Sequence, residues 1–262
     1  RHLLFVTRRY FFILDEVESN QAATHQWLLH AKEKFIQDFE SGKVYLKKGA
    51  ANLLVRFLLP RPSDLKFSQT GQFSAPVHPD FTLKMKDEWH FTADAYRPQK
   101  QRTFLTWLYP YPTPAGQIPE VQPLNTTKGF LNIVKYGADQ ELVFLARETE
   151  KEVVSKSGTL RGMAGIVTRR DNLITSVTLI DGTIFFSDDF YLSTDKPLTL
   201  EAAVGHSELR LAIQAAKLTT LKMKLPFIPM SITGVEPESW NYDEAQKMLT
   251  LKIAGNMNVI IE

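Results

Sequence analysis

The sequence predicts an all-β protein whose antiparallel strands form a multi-stranded β-sandwich with almost no helix. Three observations carry this prediction. Short runs rich in aromatic and β-branched residues recur along the whole chain, hairpin turn signals separate several of them, and helical periodicity is nearly absent. Strands spaced in this way, without intervening helices, are typical of antiparallel sheets that pack face to face.

The predicted strands begin at the amino terminus, where residues 3–6 and 10–14 are separated by the polar Thr7-Arg8-Arg9. Further strands are predicted over residues 24–30, 52–59, 89–95, 103–109, 130–136, 141–146, 165–168, 173–180, 183–186, 198–204, 209–213, 218–225, 248–253 and 258–261. The charged segment 147–156 is the longest candidate for a turn or two of helix.

Three junctions have the chemistry of hairpin turns. Asp181-Gly182 lies between two apolar runs, and both residue types tolerate the positive φ of a two-residue turn. Residues 136–139 and Ala254-Gly255-Asn256 show weaker versions of the same signal. These junctions predict that the flanking strands pair as hairpins.

The strand pattern predicts a single β-sandwich domain over residues 1–262, which could comprise two stacked sandwich layers. The proline-rich segment from Pro110 to Pro123 is the only plausible internal boundary, and it is predicted to be a long surface loop because proline does not fit a sheet interior. The chain opens with Arg1-His2-Leu3 rather than with methionine or a signal peptide. We therefore expect it to be a C-terminal fragment of a larger enzyme, or a chain whose amino-terminal part was removed.

Composition excludes some chemistries. The formal net charge of +2 gives no global argument for nucleic acid or an anionic membrane, and neither is expected as a partner. The basic pairs at residues 8–9, 47–48 and 169–170 are expected on solvated edges or turns. The chain has no cysteine, which excludes disulfides and thiol chemistry but does not fix the compartment. No apolar run reaches the roughly 20 residues of a membrane-spanning helix.

Histidines and carboxylates are the residue types in this sequence that could form a metal or acid–base site. No two histidines have the spacing that puts two ligands on one face of a strand, so no metal site is predicted, and cofactors are left open. His25 and His30 should point to opposite faces, and His78 is expected in a loop. Asp15, Glu16 and Glu18 are interpreted as a polar turn that closes a hairpin.

Aromatic side chains give the candidate binding site. Trp107, Tyr109 and Tyr111 alternate along one predicted strand and therefore share a face. Exposed flat rings can stack on the apolar faces of sugar rings, while a tyrosine hydroxyl keeps a polar group available. The alternative is that the three rings are buried in the sandwich or beneath the proline-rich loop.

Several segments, in order, resemble the C-terminal sandwich of heparinase II/III-like polysaccharide lyases. The matching segments are residues 1–6, 10–18 and 24–30, Phe67-Ser68-Gln69-Thr70, residues 104–110, and the stretch from Tyr242-Asp243 to Leu249-Thr250-Leu251. The likeness is clearest over residues 1 to about 112 and is weaker towards the end.

The resemblance implies a bacterial, exported enzyme, periplasmic or extracellular, in which a helical toroid domain is joined to a β-sandwich. Such lyases cleave uronate-containing polysaccharides, including glycosaminoglycans, by β-elimination. A tyrosine or histidine removes the proton next to the uronate carboxylate while the charge of that carboxylate is neutralised. The family's catalytic motifs have no counterpart here, and His2, His25 and His30 do not match them. We therefore assign no catalytic residue and expect the chain to be inactive alone.

Two alternatives remain beside this hypothesis. The chain could be a stand-alone carbohydrate-binding module that uses the Trp107 face, or a structural sandwich with no ligand. An exposed apolar patch near residues 1–30 would favour the lyase hypothesis, because it would mark a surface for a partner domain. Exposed coplanar rings without such a patch would favour the binding module.

Overall fold

The computed structural model describes residues 1–38, 41–72, 88–114, 116–124, 126–187 and 190–262. The all-β prediction is confirmed: 72% of the structure is strand, the strand pairs are antiparallel, and the described residues contain no α-helix. The chain divides into two compact units, Arg1–Gly116 and Gln117–Glu262. This division falls inside the proline-rich segment that was the only plausible boundary within the predicted single domain 1–262.

The first unit contains two sheets. Its strands are β1 (His2–Val6), β2 (Tyr10–Ala23), β3 (Gln26–Ala31), β4 (Ile36–Asp38), β5 (Lys43–Lys48), β6 (Ala51–Leu59), β7 (Leu65–Thr70), β8 (Trp89–Ala95) and β9 (Gln99–Pro112). The larger sheet has six strands in the order β1-β2-β9-β6-β5-β4, and the smaller has the order β3-β8-β7. A 3-10 turn, Pro62–Asp64, precedes β7.

Aromatic rings join these two sheets into a sandwich. Phe57 of the larger sheet lies with its ring centroid 5.3 Å from that of Trp27 and 6.2 Å from that of Phe91, both in the smaller sheet. Phe104 of the central strand β9 is buried in the same cluster. Burying each such ring stabilises the fold by about 1.5–3 kcal/mol, so the apolar contact between the sheets holds the first unit together.

A buried carboxylate adds a polar link between the same sheets. Asp15 accepts hydrogen bonds from Arg1 Nε at 2.5 Å, from Arg1 Nη2 at 2.9 Å and from Trp27 Nε1 at 3.1 Å. The predicted polar turn at Asp15, Glu16 and Glu18 was wrong, because β2 continues through all three residues and pairs with β9. The carboxylate therefore satisfies a buried indole N–H, which would otherwise cost about 1–3 kcal/mol.

The second unit is built from one sheet. Its strands are β10 (Glu120–Leu124), β11 (Gly129–Tyr136), β12 (Asp139–Ala146), β13 (Val153–Ser155), β14 (Gly158–Arg170), β15 (Leu173–Ser187), β16 (Phe190–Val204), β17 (Leu209–Lys224), β18 (Ile232–Thr233), β19 (Trp240–Asp243) and β20 (Met248–Ile261). The order is β10-β11-β12-β14-β15-β16-β17-β20-β18, with β13 beside β14 and β19 beside β20. A 3-10 turn at Pro237–Ser239 precedes β19.

A line of register shifts crosses the five long strands of this sheet. The shifts lie between Arg161 and Gly162, around Gly182, between Thr194 and Thr199, and between Ala215 and Thr219. Because these irregularities are neighbours across β14, β15, β16, β17 and β20, the sheet can bend sharply along one line, which we call the crease.

Contacts across the crease show that the sheet folds into two layers. Phe144 of β12 meets Phe185, which lies beyond the crease in β15, with ring centroids 5.6 Å apart. Arg169 Nη2 donates to Ser187 Oγ at 3.5 Å, although these residues lie near opposite ends of the paired strands β14 and β15. Buried side chains from both sides of the crease form one apolar core. The second unit is therefore a sandwich made by folding a single sheet onto itself.

The crease explains two predicted turns that were wrong. Asp181-Gly182 and Ala254-Gly255-Asn256 lie inside the continuous strands β15 and β20 rather than in hairpins. The signal was a positive φ, which Asp181 and Gly255 do adopt, at 45° and 74°. A bulge in a bent strand needs that conformation as much as a turn does. The turn predicted at residues 136–139 was confirmed, since Tyr136 pairs with Asp139.

The structure also differs from two predictions for segments between strands. The predicted Pro110–Pro123 loop is shorter, because β9 continues to Pro112 and β10 begins at Glu120. Pro123 is tolerated because β10 is an edge strand in the described sheet. Residues 147–156 form a turn and β13 instead of a helical turn. No helix in the described part of the chain is long and apolar enough to cross a membrane.

The crease depends on close backbone approach, and Gly162→Ala tests this. A Cβ at Gly162 would lie 2.6 Å from Gly182 Cα and 3.1 Å from the Asp181 carbonyl oxygen. We expect urea unfolding to show a loss of about 1–3 kcal/mol, because neither backbone can yield cheaply. Gly116→Ala, where an added Cβ meets nothing within 4 Å, is the control and should be near neutral. Equal stability of the two variants would contradict the close approach at the crease.

Candidate functional site

The three predicted site residues form a ladder on β9. Trp107, Tyr109 and Tyr111 share one face of the larger sheet of the first unit, as their alternation predicts. The rings of Trp107 and Tyr109 stack 5.5 Å apart at 1°, and those of Tyr109 and Tyr111 stack 5.8 Å apart at 11°. Trp107 is only 1% exposed, whereas both tyrosines are half-buried. Trp107 therefore backs the ladder, and Tyr109 and Tyr111 are the rings that a ligand can reach.

Strand register brings further side chains to the same face. Strand β6 places Arg56 opposite Trp107 and Asn52 opposite Tyr111. Strand β5 in turn places Lys43 opposite Arg56 and Lys47 opposite Asn52. Directly opposite residues in antiparallel strands project to the same side of a sheet. The same register places the buried Leu54 between Tyr45 and Tyr109. The accessible side chains around Leu54 and the buried Asn52 are called the aromatic–basic face and comprise Lys43, Tyr45, Lys47, Arg56, Tyr109 and Tyr111.

The charge on this face is positive. Among the described residues, Lys43, Lys47 and Arg56 supply three cations, and Asp38, opposite Lys43 on the edge strand β4, supplies one carboxylate. Glu16 and Glu18 lie on the same side of the sheet but at the far end of β2, beside Thr103 and Gln101. Phe12 and Leu14 separate them from the tyrosines. The aromatic end of the sheet is therefore the end that attracts anions.

The hydroxyl of Tyr45 stays protonated on this face. Burial raises the pKa of Tyr45 above its ordinary value, and the nearby Asp38 and Tyr111 raise it further. The phenol is therefore a hydrogen-bond donor at neutral pH rather than a base. A donor beside three cations suits recognition of carboxylate and sulfate oxygens.

Asn52 fixes the end of the ladder. Its Nδ2 donates to Thr113 Oγ1 at 2.6 Å, just beyond Tyr111, and the Thr113 amide donates to the carbonyl of Ala50 at 2.9 Å. These bonds tie the end of β9 to the start of β6. Tyr111 is consequently held on a braced strand end rather than on a free loop.

The sequence prediction found the ladder but missed half of the face. Residues 43–47 read Lys-Val-Tyr-Leu-Lys, so a basic, an aromatic and a basic side chain alternate with two apolar ones. That period-two pattern was a usable signal for a basic and aromatic strand face. Arg56 carries no such pattern, and its position follows only from the pairing of β6 with β9.

The histidines are distributed over several places. His30 and His90 lie opposite each other on β3 and β8, with ring centroids 4.3 Å apart. His25 is buried, with Nε2 3.4 Å from Ser19 Oγ. The loop prediction for His78 lies outside the described residues. Within the described ranges no group of three or more histidines and carboxylates could hold a metal ion.

The chain was compared with known protein families and with curated proteins. No family model matches it, and no curated protein matches it.

Proposed function

We propose that this chain is the C-terminal β-sandwich region of a heparinase II/III-like polysaccharide lyase and that its aromatic–basic face binds the acidic polysaccharide. The enzyme would cleave uronate-containing chains by β-elimination. The observation that supports binding is the stacked pair Tyr109 and Tyr111 beside Lys43, Lys47 and Arg56. The ligand class follows from this combination of rings and cations.

Rings and cations contribute differently to such binding. The apolar C–H faces of a sugar ring pack on an aromatic ring, which provides contact area with little loss of side-chain entropy. Uronate carboxylates and sulfates pair with lysine ammonium groups. Neutral sugars need only the rings, so Lys43 and Lys47 favour an acidic polysaccharide.

The chain is proposed to bind and support rather than to catalyse. β-Elimination needs a base, and a tyrosine serves as one more easily when its pKa is lowered. Burial instead raises the pKa of Tyr45 and of Tyr242, and nearby carboxylates act in the same direction. Because the family's catalytic motifs also have no counterpart in the sequence, we assign the base and the acid to the helical toroid domain of the parent enzyme. The sandwich would hold the substrate carboxylates against that domain.

An apolar strip near the amino terminus supports a partner domain. Leu3 and Phe5 of the edge strand β1 are 63% and 51% exposed and lie on the same side of β1. The Phe5 ring stacks on Phe11 with centroids 4.3 Å apart. Grouped apolar side chains on an edge strand are unusual on a free surface and suit contact with another domain. The strip favours the lyase assignment over a stand-alone module.

The second candidate function is a non-catalytic carbohydrate-binding module. The same tyrosines and cations would serve it, so the aromatic–basic face supports both candidates. The lyase assignment predicts that the natural protein cleaves the polysaccharide, whereas the binding module would only bind it. A periplasmic or extracellular location, where acidic polysaccharides are met, suits either candidate.

The lyase assignment predicts where activity will be found. The chain alone should release no unsaturated uronate from heparan sulfate, alginate or chondroitin, whereas the full-length natural protein should cleave at least one of them. The measurement is ultraviolet absorbance of the unsaturated product. Cleavage by this chain alone would place the catalytic residues within it. No cleavage by either protein would favour the binding module.

Tyr111→Ala tests the ladder. Removing this ring should weaken binding of the acidic polysaccharide about tenfold, or roughly 1.4 kcal/mol, as measured by calorimetry. Tyr111→Phe should retain most of the affinity, because the ring surface remains. Tyr96→Ala removes a tyrosine that is 61% exposed and outside the face, and it should bind normally. An equal effect of Tyr111→Ala and Tyr96→Ala would show that the ladder does not take part in binding.

Lys47→Gln tests the charge. Lys47 is exposed on the face, so its loss should weaken binding and reduce the dependence of affinity on salt concentration. Lys66→Gln removes another exposed lysine, from β7 of the smaller sheet, and serves as the control. The comparison is made by titration at several salt concentrations. The same salt dependence in both variants would show that the anion is held elsewhere.

A further inference from the structure

The second unit has a cavity at the end of its sandwich that lies farthest from the crease. Its volume is about 480 Å³. One layer contributes the turn between β14 and β15 and the turn between β16 and β17, and the other contributes Phe190 and the segment after β17. The cavity is therefore a gap between the two layers, at the place where the folded sheet remains open.

The inner lining of the cavity continues the apolar core. Leu209 and Phe190 are buried members of the core, and Ile174, Val204 and Phe227 pack against it while still lining the cavity. At the mouth of the cavity, Leu173 follows the polar turn of Asp171 and Asn172, and its apolar side chain is 62% exposed. An apolar cavity of this kind holds water poorly and accepts apolar molecules.

The charges at the rim do not select an ion. Arg170 is held by Asp139 through bonds of 2.8 and 3.3 Å from Nε and Nη2. Lys224 and Asp171 also line the cavity and have opposite signs. His206 lines the cavity as well. Among the described residues, Arg170 and Lys224 are the lining cations, and their formal charge equals that of Asp171 together with Asp139, so an anionic or cationic ligand would gain little from the rim.

We propose that this open end of the second unit binds an uncharged, largely apolar small molecule. Its volume lies in the range of about 300–1,000 Å³ that small-molecule sites occupy. The ligand would insert its apolar body between Val204, Leu209 and Phe227, and its outer end would lie beneath Leu173. This site is independent of the aromatic–basic face, because it consists of other residues and has a different chemistry.

The test uses an uncharged fluorescent probe, N-phenyl-1-naphthylamine, titrated into the full chain. Its emission should rise and saturate at about one molecule per chain. Val204→Trp fills the cavity and should weaken binding at least about tenfold. Val154→Trp makes the same change at an exposed position outside the cavity and should bind as the unchanged chain does.

A second variant keeps the test decisive in case Val204→Trp does not fold. Thr175 lines the cavity but is exposed, so Thr175→Trp should obstruct the site without disturbing the core. Thermal unfolding of each variant reports whether it is folded. The proposal is overturned if the unchanged chain shows no saturable binding, or if the folded filling variants bind like Val154→Trp. Tighter binding of the anionic 1-anilinonaphthalene-8-sulfonate would overturn the assignment to an uncharged ligand.

Discussion

The alternation of buried and exposed side chains along extended strands is the constraint on which the rest of this structure depends. In β17, residues 209–215 alternate strictly between the core and the surface, and the register with β20 keeps the same side of both strands buried. One slip of register would exchange every buried residue for an exposed one. The same constraint in β9 places Tyr109 and Tyr111 together on one side of the sheet. Core and candidate site are therefore fixed by one geometric rule.

That rule explains why much of the fold could be predicted from the sequence. Runs such as residues 209–213 and 130–136 show their strand character locally, through composition and period two. The predicted ladder of Trp107, Tyr109 and Tyr111 rests on the same local information. Its lysines and arginine come from β5 and β6, and their positions depend on which strands become neighbours. A single sequence does not contain that pairing in readable form.

The crease shows the limit of turn chemistry as a signal. Asp181 and Gly255 do adopt a positive φ, as their residue types predict. The local sequence predicts a departure from regular strand geometry at these residues, but it does not determine whether the chain reverses direction or only bends. Reversal requires the flanking segments to pair with each other, whereas at the crease they pair with neighbouring strands and face each other as layers. Long-range pairing decides between the two outcomes.

Folding the sheet at its middle has a consequence for how the second unit can vary. Both far ends of each long strand arrive at the same open end of the sandwich, so the connections 171–172 and 205–208 meet the segment after Lys224 there. Loops gathered at one end of a rigid framework can change length and composition without repacking its interior. The second unit thus separates a rigid framework from a rim that can vary, as antibody domains do with their binding loops. Related chains could keep the crease and differ at the rim.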